Sequence, residues 1–294
     1  MRGPWYSSDP LTGLWEQMGS MADDLSDLWK GWRWRGPRPR DWPDVGPPLE
    51  RPSDLGWARS EPVRLFRRLI QRGLLMPFTE AMTHPQVEGR EWLRGFERPV
   101  ILASNHNSHA DTPLLLDALP DRVRDRTVVA AAEDYFYSRP AIGHAVSLWL
   151  NTFPFSRTGG AQAVLHSSSQ LLRSGWNLLV YPEGTRSPDG RIQEFKAGVG
   201  HLAAESRAPV VPIHVGGSRR VQAKGRSLPL PAPVRIRVGK PLTVRRGEGA
   251  RAFTARIEHA VRDLAEAEPG DGVRGTWIER WQAMSPRRSG PAGP

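Results

Sequence analysis

The chain has 294 residues, enough for one large or two ordinary domains with a sizeable buried core. Its 41 basic and 31 acidic side chains leave a net charge of +10, nearly all from arginine, since lysine occurs only at Lys30, Lys196, Lys224 and Lys240; such an imbalance suggests nucleic acid, an acidic lipid surface or a phosphorylated substrate as partner. The lack of cysteine excludes a disulfide framework, a thiolate zinc site and a cysteine nucleophile, no apolar run approaches the roughly 18 residues of a membrane-spanning helix, and the first residues do not read as a secretory signal.

Residues 1–60 hold seven of the 12 tryptophans and eight of the 28 prolines, with eight basic against nine acidic side chains, so residues 61–294 carry all of the positive excess. Asp9 and Pro10 are start signals for an amphipathic helix whose apolar positions run from Leu11 through Leu14, Trp15, Met18, Met21, Leu25 and Leu28 to Trp29. The Pro- and Gly-rich stretch after it reads as a linker or surface wrap. A second amphipathic helix is expected from Ser60 to Met76 within a segment 61–86, its stripe formed by Val63, Phe66, Leu69, Ile70, Gly73 and Leu74, with Arg64, Arg67, Arg68 and Arg72 beside or opposite it. Two readings of that helix stand side by side: one lying on an anionic membrane surface, the other docked on its own domain with solvated arginines.

From residue 87 to 268, short β-rich runs alternate with helical segments. Strands are expected at 100–103, 127–131, 177–181, 210–215 and 234–238, and helices near 112–119, 141–150, 161–173 and 198–206. A terminal helix is marked by Phe253, Ile257, Val261 and Leu264. This is the pattern of an α/β fold with a mainly parallel central sheet flanked by helices, preceded by an N-terminal amphipathic helical region. Residues 269–294 read as a disordered tail.

Four segments carry chemistry. In VILASNHNSHADTPLLL, a strand, a polar loop and a helix start come one after another, and the spacing of His106 and Asp111 allows a carboxylate to orient an imidazole, whose other nitrogen is then a general base. A divalent-metal set of His106, His109 and Asp111, and a plain helix cap at Asp111, are the competing readings. NLLVYPEGTRSPDG places Gly184, Thr185 and Arg186 after a second strand, with a guanidinium suited to phosphate. LNTFPFSRTGG puts Arg157 after an apolar run, and APVVPIHVGG is a buried strand interrupted by Pro212.

In this order the four segments resemble the blocks of the lysophospholipid acyltransferase family, the 1-acylglycerol-3-phosphate acyltransferases: NHNSHAD is similar to the NHxxxxD block, FPFSR to the second, VYPEGTRS to FPEGTRS with Tyr181 where Phe is usual, and VVPIHVGG to the fourth, while FKAG at 195–198 fits the lysine-glycine pattern after the third. The resemblance covers roughly residues 87–242. It implies transfer of a fatty acyl group from a coenzyme A or acyl-carrier-protein thioester to the hydroxyl of a lysophosphatidic-acid-like acceptor, without metal or resident cofactor. It further implies that His106 is the base and Asp111 its partner, that Arg157 and Arg186 bind the acceptor phosphate, that Glu183, Gly184 and Thr185 shape that site, and that Lys196 adds charge. The implied setting is peripheral, on the cytoplasmic face of the plasma membrane, with the lipid acceptor, the thioester donor and the anionic surface as partners and no nucleic acid. Acylation of another acceptor, such as glycerol 3-phosphate or a lyso-aminolipid, is the nearest alternative, and a non-enzymatic anion-binding protein is the rival of another class. The stretch between Glu205 and Glu248 contains no acidic residue but ten basic ones, and in VRIRV the alternation of Arg235 and Arg237 with apolar residues predicts one basic strand face for lipid headgroups or donor phosphates.

Overall fold

The computed structural model describes residues 52–96, 98–132, 140–155, 161–223 and 228–267. The expected helix at 11–29, the linker after it, Arg157, Lys224, Arg226 and the tail lie outside the described residues.

Seven strands form one sheet: β1 (Gln86–Glu88), β2 (Ile101–Ser104), β3 (Thr127–Ala132), β4 (Thr152–Phe155), β5 (Asn177–Val180), β6 (Val210–Gly216) and β7 (Arg235–Val238), in the order β1-β7-β6-β2-β5-β3-β4. Neighbours from β6 to β4 are parallel, β7 runs antiparallel to β6, and β1 is parallel to β7. The helices are α1 (Glu61–Ile70), α2 (Met76–Thr83), α3 (Asp111–Ala118), α4 (Asp121–Arg124), α5 (Pro140–Leu150), α6 (Ala161–Arg173), α7 (Gly198–Ser206), α8 (Ser218–Val221) and α9 (Ala250–Glu266). The α/β class and mainly parallel sheet are those the sequence implies. β1 was not expected, being three residues whose pairing partner lies almost 150 positions away.

Both sheet faces are dry. Leu102, Leu179, Val211 and Ile236 face a cluster that includes Leu114, Leu115 and Leu116 of α3. Ile101, Leu178 and Val210 face the opposite cluster, which holds Val199 and Leu202 of α7 and Phe253, Ile257 and Val261 of α9. Adjacent residues of one strand thus feed opposite cores, so the strands read as unbroken apolar runs. α7 and α9 meet at Gly200, where a Cβ would stand 2.1 Å from the Ala250 carbonyl oxygen. Pro212 does not interrupt β6. Val210 donates to Leu242 on the β7 side, and Pro212, of the same parity, falls where the neighbouring chain bulges around Gly239, so its missing N–H removes no ladder bond.

Of the two readings of the basic segment, docking on its own domain with solvated arginines does not describe the structure. α1, a π-helical turn at Gln71–Leu75 and α2 form one continuous helix, in which Arg67 is buried, Arg64 and Arg68 are half-buried and Arg72 is exposed. Arg67 is buried and donates to the carbonyls of Ala58, Ser147 and Leu148; burial, with Arg59 and Arg64 nearby, pulls its guanidinium down to about 10. Arg68 pairs with Asp125 and Arg72 with Asp121. The apolar residues Leu65, Phe66, Leu69, Leu74 and Phe78 are exposed instead, at 51–72% of their surface. Leu65 and Thr83 are about five α-helical turns apart and would share a face on an unbroken α-helix. Leu65 is exposed and Thr83 buried because the i→i+5 turn takes up an extra residue and rotates the rest of the helix by about 100°. That rotation also brings Leu74 and Phe78 into line with Leu65, Phe66 and Leu69.

Candidate active site

β2 and β5 are adjacent, with Ala103 level with Val180, so the loops carrying His106 and Glu183 leave the sheet side by side at its C-terminal edge. Four contacts join them. The His106 N–H donates to Glu183 Oε1 (2.8 Å), the Ser187 N–H donates to the His106 carbonyl (2.7 Å), the Tyr181 ring stacks on the imidazole with centroids 4.0 Å apart and planes 16° from parallel, and the Tyr181 hydroxyl shares a 2.8 Å hydrogen bond with Thr112 Oγ1. On the other side, Asn105 extends the β2–β6 ladder by exchanging two side-chain bonds with the Val215 backbone.

Asp111 is completely buried, and three donors converge on its Oδ2: Nδ1 of His106 at 2.9 Å and the amides of Asn107 at 2.6 Å and Ser108 at 2.8 Å. The carboxylate therefore caps the loop and orients the ring, whereas the N-cap position of α3 is Ala110. Fixing the proton on Nδ1 leaves Nε2 as the basic nitrogen of an imidazole whose side chain is 18% exposed. The hydroxyls of Ser108, Thr112 and Ser187 are bonded to Gln222, Tyr181 and Asp189, and among the described residues no serine or threonine hydroxyl is hydrogen-bonded to His106.

Of the residues expected to meet a phosphate, Gly184, Arg186 and Lys196 come together at this loop. Gly184 has φ of 74°, and a Cβ there would stand 2.7 Å from Lys196 Nζ, so the lysine lies across the glycine. Lys196 and Thr185 are exposed. His109 is held neutral, at about 3, by burial first and then by the charges of Arg186 and His106. Glu183 lies beneath the loop and not at its surface. It is 3% exposed and both carboxylate oxygens are taken by backbone amides, of His106 and of Gln193 (3.1 Å), so it braces the two loops from below. Burial raises its carboxyl to about 7 against the lowering effect of those two amides.

A cleft of about 870 Å³ runs beside Asn107, lined also by Gly190, His214, Gly216, Gly217, Arg219 and Arg220. His214 is half-buried and held neutral, at about 4, chiefly by desolvation and secondarily by Arg237. The basic strand face expected from VRIRV is absent among the described residues. Arg237 is buried, paired with Glu88 and donating to the Leu264 carbonyl, and Arg235 also pairs with Glu88, because β1 lies alongside β7 and supplies the acid. Arg219 and Arg220 at the cleft mouth are exposed.

The acyltransferase family profile matches residues 84–216, the span that contains both loops. Over that span the chain is similar to the acyltransferase family. It is 30% identical over 159 residues to the chloroplastic 1-acyl-sn-glycerol-3-phosphate acyltransferase BAT2 of Brassica napus, covering 53% of this chain and 44% of that one. It is 28% identical over 185 residues to the mouse 1-acyl-sn-glycerol-3-phosphate acyltransferase alpha, covering 60% and 62%. The chain thus spans about half the length of these curated relatives. The crystal structure of PlsC, the 1-acyl-sn-glycerophosphate acyltransferase of Thermotoga maritima, shares the fold at 23% identity, with a TM-score of 0.55 over 69% of this chain and 82% of that one. The resemblance read from the four blocks is to this same family.

Proposed function

We propose that the protein moves a fatty acyl group from a coenzyme A or acyl-carrier-protein thioester to the free hydroxyl of a 1-acylglycerol-3-phosphate, giving phosphatidic acid. The observation that carries this reading is the His106–Asp111 pair, a base with an oriented proton and, among the described residues, no serine or threonine hydroxyl bonded to it. In such a site the acceptor's own hydroxyl is the nucleophile: Nε2 takes its proton as the oxygen attacks the thioester carbonyl, Asp111 stabilises the imidazolium, and the tetrahedral adduct expels the thiolate, which recovers the proton from Nε2. The acceptor phosphate would sit against Arg186, Lys196 and Thr185, with Arg157 as the second arginine that the family resemblance implies. The anionic part of the donor suits the cleft rimmed by Arg219 and Arg220.

The exposed apolar stripe gives the proposed peripheral attachment. Among the described residues no helix is long and apolar enough to cross a membrane. A stripe of five large apolar side chains along one helical face is suited to the headgroup–acyl boundary of a leaflet. α1 starts beside the segments that enter β3 and β4, and α2 ends where the carbonyls of Met82 and Thr83 accept from Ala232 and Val234, next to the β6 end that borders the cleft. A helix lying on the membrane would therefore reach the catalytic edge of the sheet. Thioester donors are cytoplasmic, so the leaflet in this reading is the cytoplasmic one.

The decisive assay is thiol release from palmitoyl-CoA with 1-acylglycerol-3-phosphate as acceptor. Native protein should turn over and His106→Ala should not, with unchanged thermal unfolding. A His106→Ala variant with native turnover would refute the mechanism, and turnover with glycerol 3-phosphate or a lyso-aminolipid in place of lysophosphatidic acid would reassign the acceptor.

A further inference from the structure

Tyr181 occupies the position where the family's third block usually has phenylalanine, and its hydroxyl is used. Its ring lies flat on the His106 imidazole, and its hydroxyl is bonded to Thr112, the residue next to Asp111 on the first turn of α3. Burial pushes the phenol well above its ordinary value, so it stays neutral and the hydroxyl-to-hydroxyl bond persists at any working pH. The imidazole is therefore gripped twice: Asp111 holds its edge at Nδ1, and Tyr181 covers one face. The edge bond limits rotation about the Cβ–Cγ bond but tolerates some rocking of the ring, and a stacked partner narrows that rocking further. The covering ring also presents its π face to the imidazolium that forms when His106 takes a proton, an interaction that favours the charged form.

We propose that Tyr181 is a positioning residue for His106, anchored through Thr112 to the same helical turn that carries Asp111. The proposal rests on His106 acting as the general base. It separates two roles, with the aromatic face setting the angle and proton affinity of the imidazole and the hydroxyl setting the angle of the aromatic ring.

The test compares Tyr181→Leu, Tyr181→Phe, Thr112→Val and the double variant Tyr181→Phe/Thr112→Val, each checked for native-like thermal unfolding. Turnover of palmitoyl-CoA with lysophosphatidic acid is measured across pH, and the imidazole of His106 is titrated in parallel by NMR of protein labelled in its histidines. Losing the face in Tyr181→Leu should lower kcat about tenfold, leave both KM values within about twofold, and move the acid limb of the profile and the His106 titration to lower pH. Tyr181→Phe should restore the titration and most of kcat, and the double variant should be no worse than the poorer single one, because both remove the same bond. A Tyr181→Leu variant with native kcat and titration would overturn the proposal, as would a Tyr181→Phe variant damaged as much as Tyr181→Leu. Additive losses in the double variant would remove Thr112 from it. If Tyr181→Leu does not fold, the two hydroxyl variants and their cycle still decide the anchoring role. If native protein consumes no thioester, the functional reading fails, while the titration still reports whether the aromatic face sets the proton affinity of His106.

Discussion

Replacing Asp111 with asparagine isolates the electrostatic part of the dyad. In many histidine–carboxylate pairs this change inverts the tautomer, because the new NH2 group turns toward the ring. Here three donors converge on a single oxygen, two of them backbone amides, so an asparagine is forced to place its carbonyl oxygen at that point. Turning NH2 there would set it against two N–H groups, each costing about 1–3 kcal/mol as a buried donor without an acceptor. The tautomer should survive, and only the charge is lost. With charge centres about 4 Å apart at an effective dielectric near 20, the attraction between carboxylate and imidazolium is about 4 kcal/mol, an upper figure for the loss. The expectation for Asp111→Asn is a fall in kcat of roughly 30- to 1,000-fold, with acceptor and donor KM little changed and thermal unfolding near native. Asp111→Ala should lose the same activity and also destabilise the loop by a few kcal/mol, since both amides lose their acceptor. Thiol-release kinetics and urea unfolding on the two variants separate these effects. Native turnover in Asp111→Asn, or unchanged stability in Asp111→Ala, would refute the reasoning.

Four further outcomes are expected. Glu183 titrates at about 7 in the fold and near 4.5 unfolded, so the folded protein binds the extra proton between those values and the native state loses stability as pH rises through that window, by roughly 3 kcal/mol. Urea unfolding of Glu183→Gln between pH 5 and 8 should lack this decline, and a parallel slope in both proteins would contradict it. Arg186→Ala should raise the acceptor KM well above any change in donor KM, measured by varying each substrate in turn, while a paired Arg219→Ala/Arg220→Ala change should do the reverse. Leu65→Ser/Leu69→Ser should reduce co-flotation with phosphatidylglycerol-containing vesicles at least severalfold while leaving activity on detergent-dispersed acceptor intact. Arg67→Ala strips three carbonyls of their donor and should lower unfolding stability by about 2–4 kcal/mol in a denaturant titration.

Much of the site was legible because its determinants are local. His106 and Asp111 stand five residues apart, Gly184 must be glycine to reach its positive φ, and each strand leading into these loops is an apolar run with a polar exit. The features that could not be read depend on partners distant in the chain. Arg235 and Arg237 predicted a basic face from their alternation, but Glu88, nearly 150 residues earlier, lies alongside and neutralises it through a three-residue strand with no pattern of its own. Glu183 looked like part of a phosphate turn, but its carboxylate accepts from the His106 amide of the neighbouring strand's loop and from the Gln193 amide of its own loop. The signal for Tyr181 was present, a hydroxyl where phenylalanine is usual in the family, but nothing in the sequence says that Thr112 is its partner.

The sequence by itself determined the α/β class, placed β2, β3, β5, β6 and β7 along the chain and singled out His106 and Asp111 as a candidate pair, since hydrophobic periodicity and short-range spacing are properties of consecutive residues. Tertiary structure alone decided which side of the first helix faces the protein. Its arginines find buried carbonyls and acids on α5 and around α4, and a π-helical turn rotates the apolar residues into one outward stripe. Amphipathic periodicity says that a helix has two faces, and only the groups waiting on the neighbouring elements determine which of them turns inward.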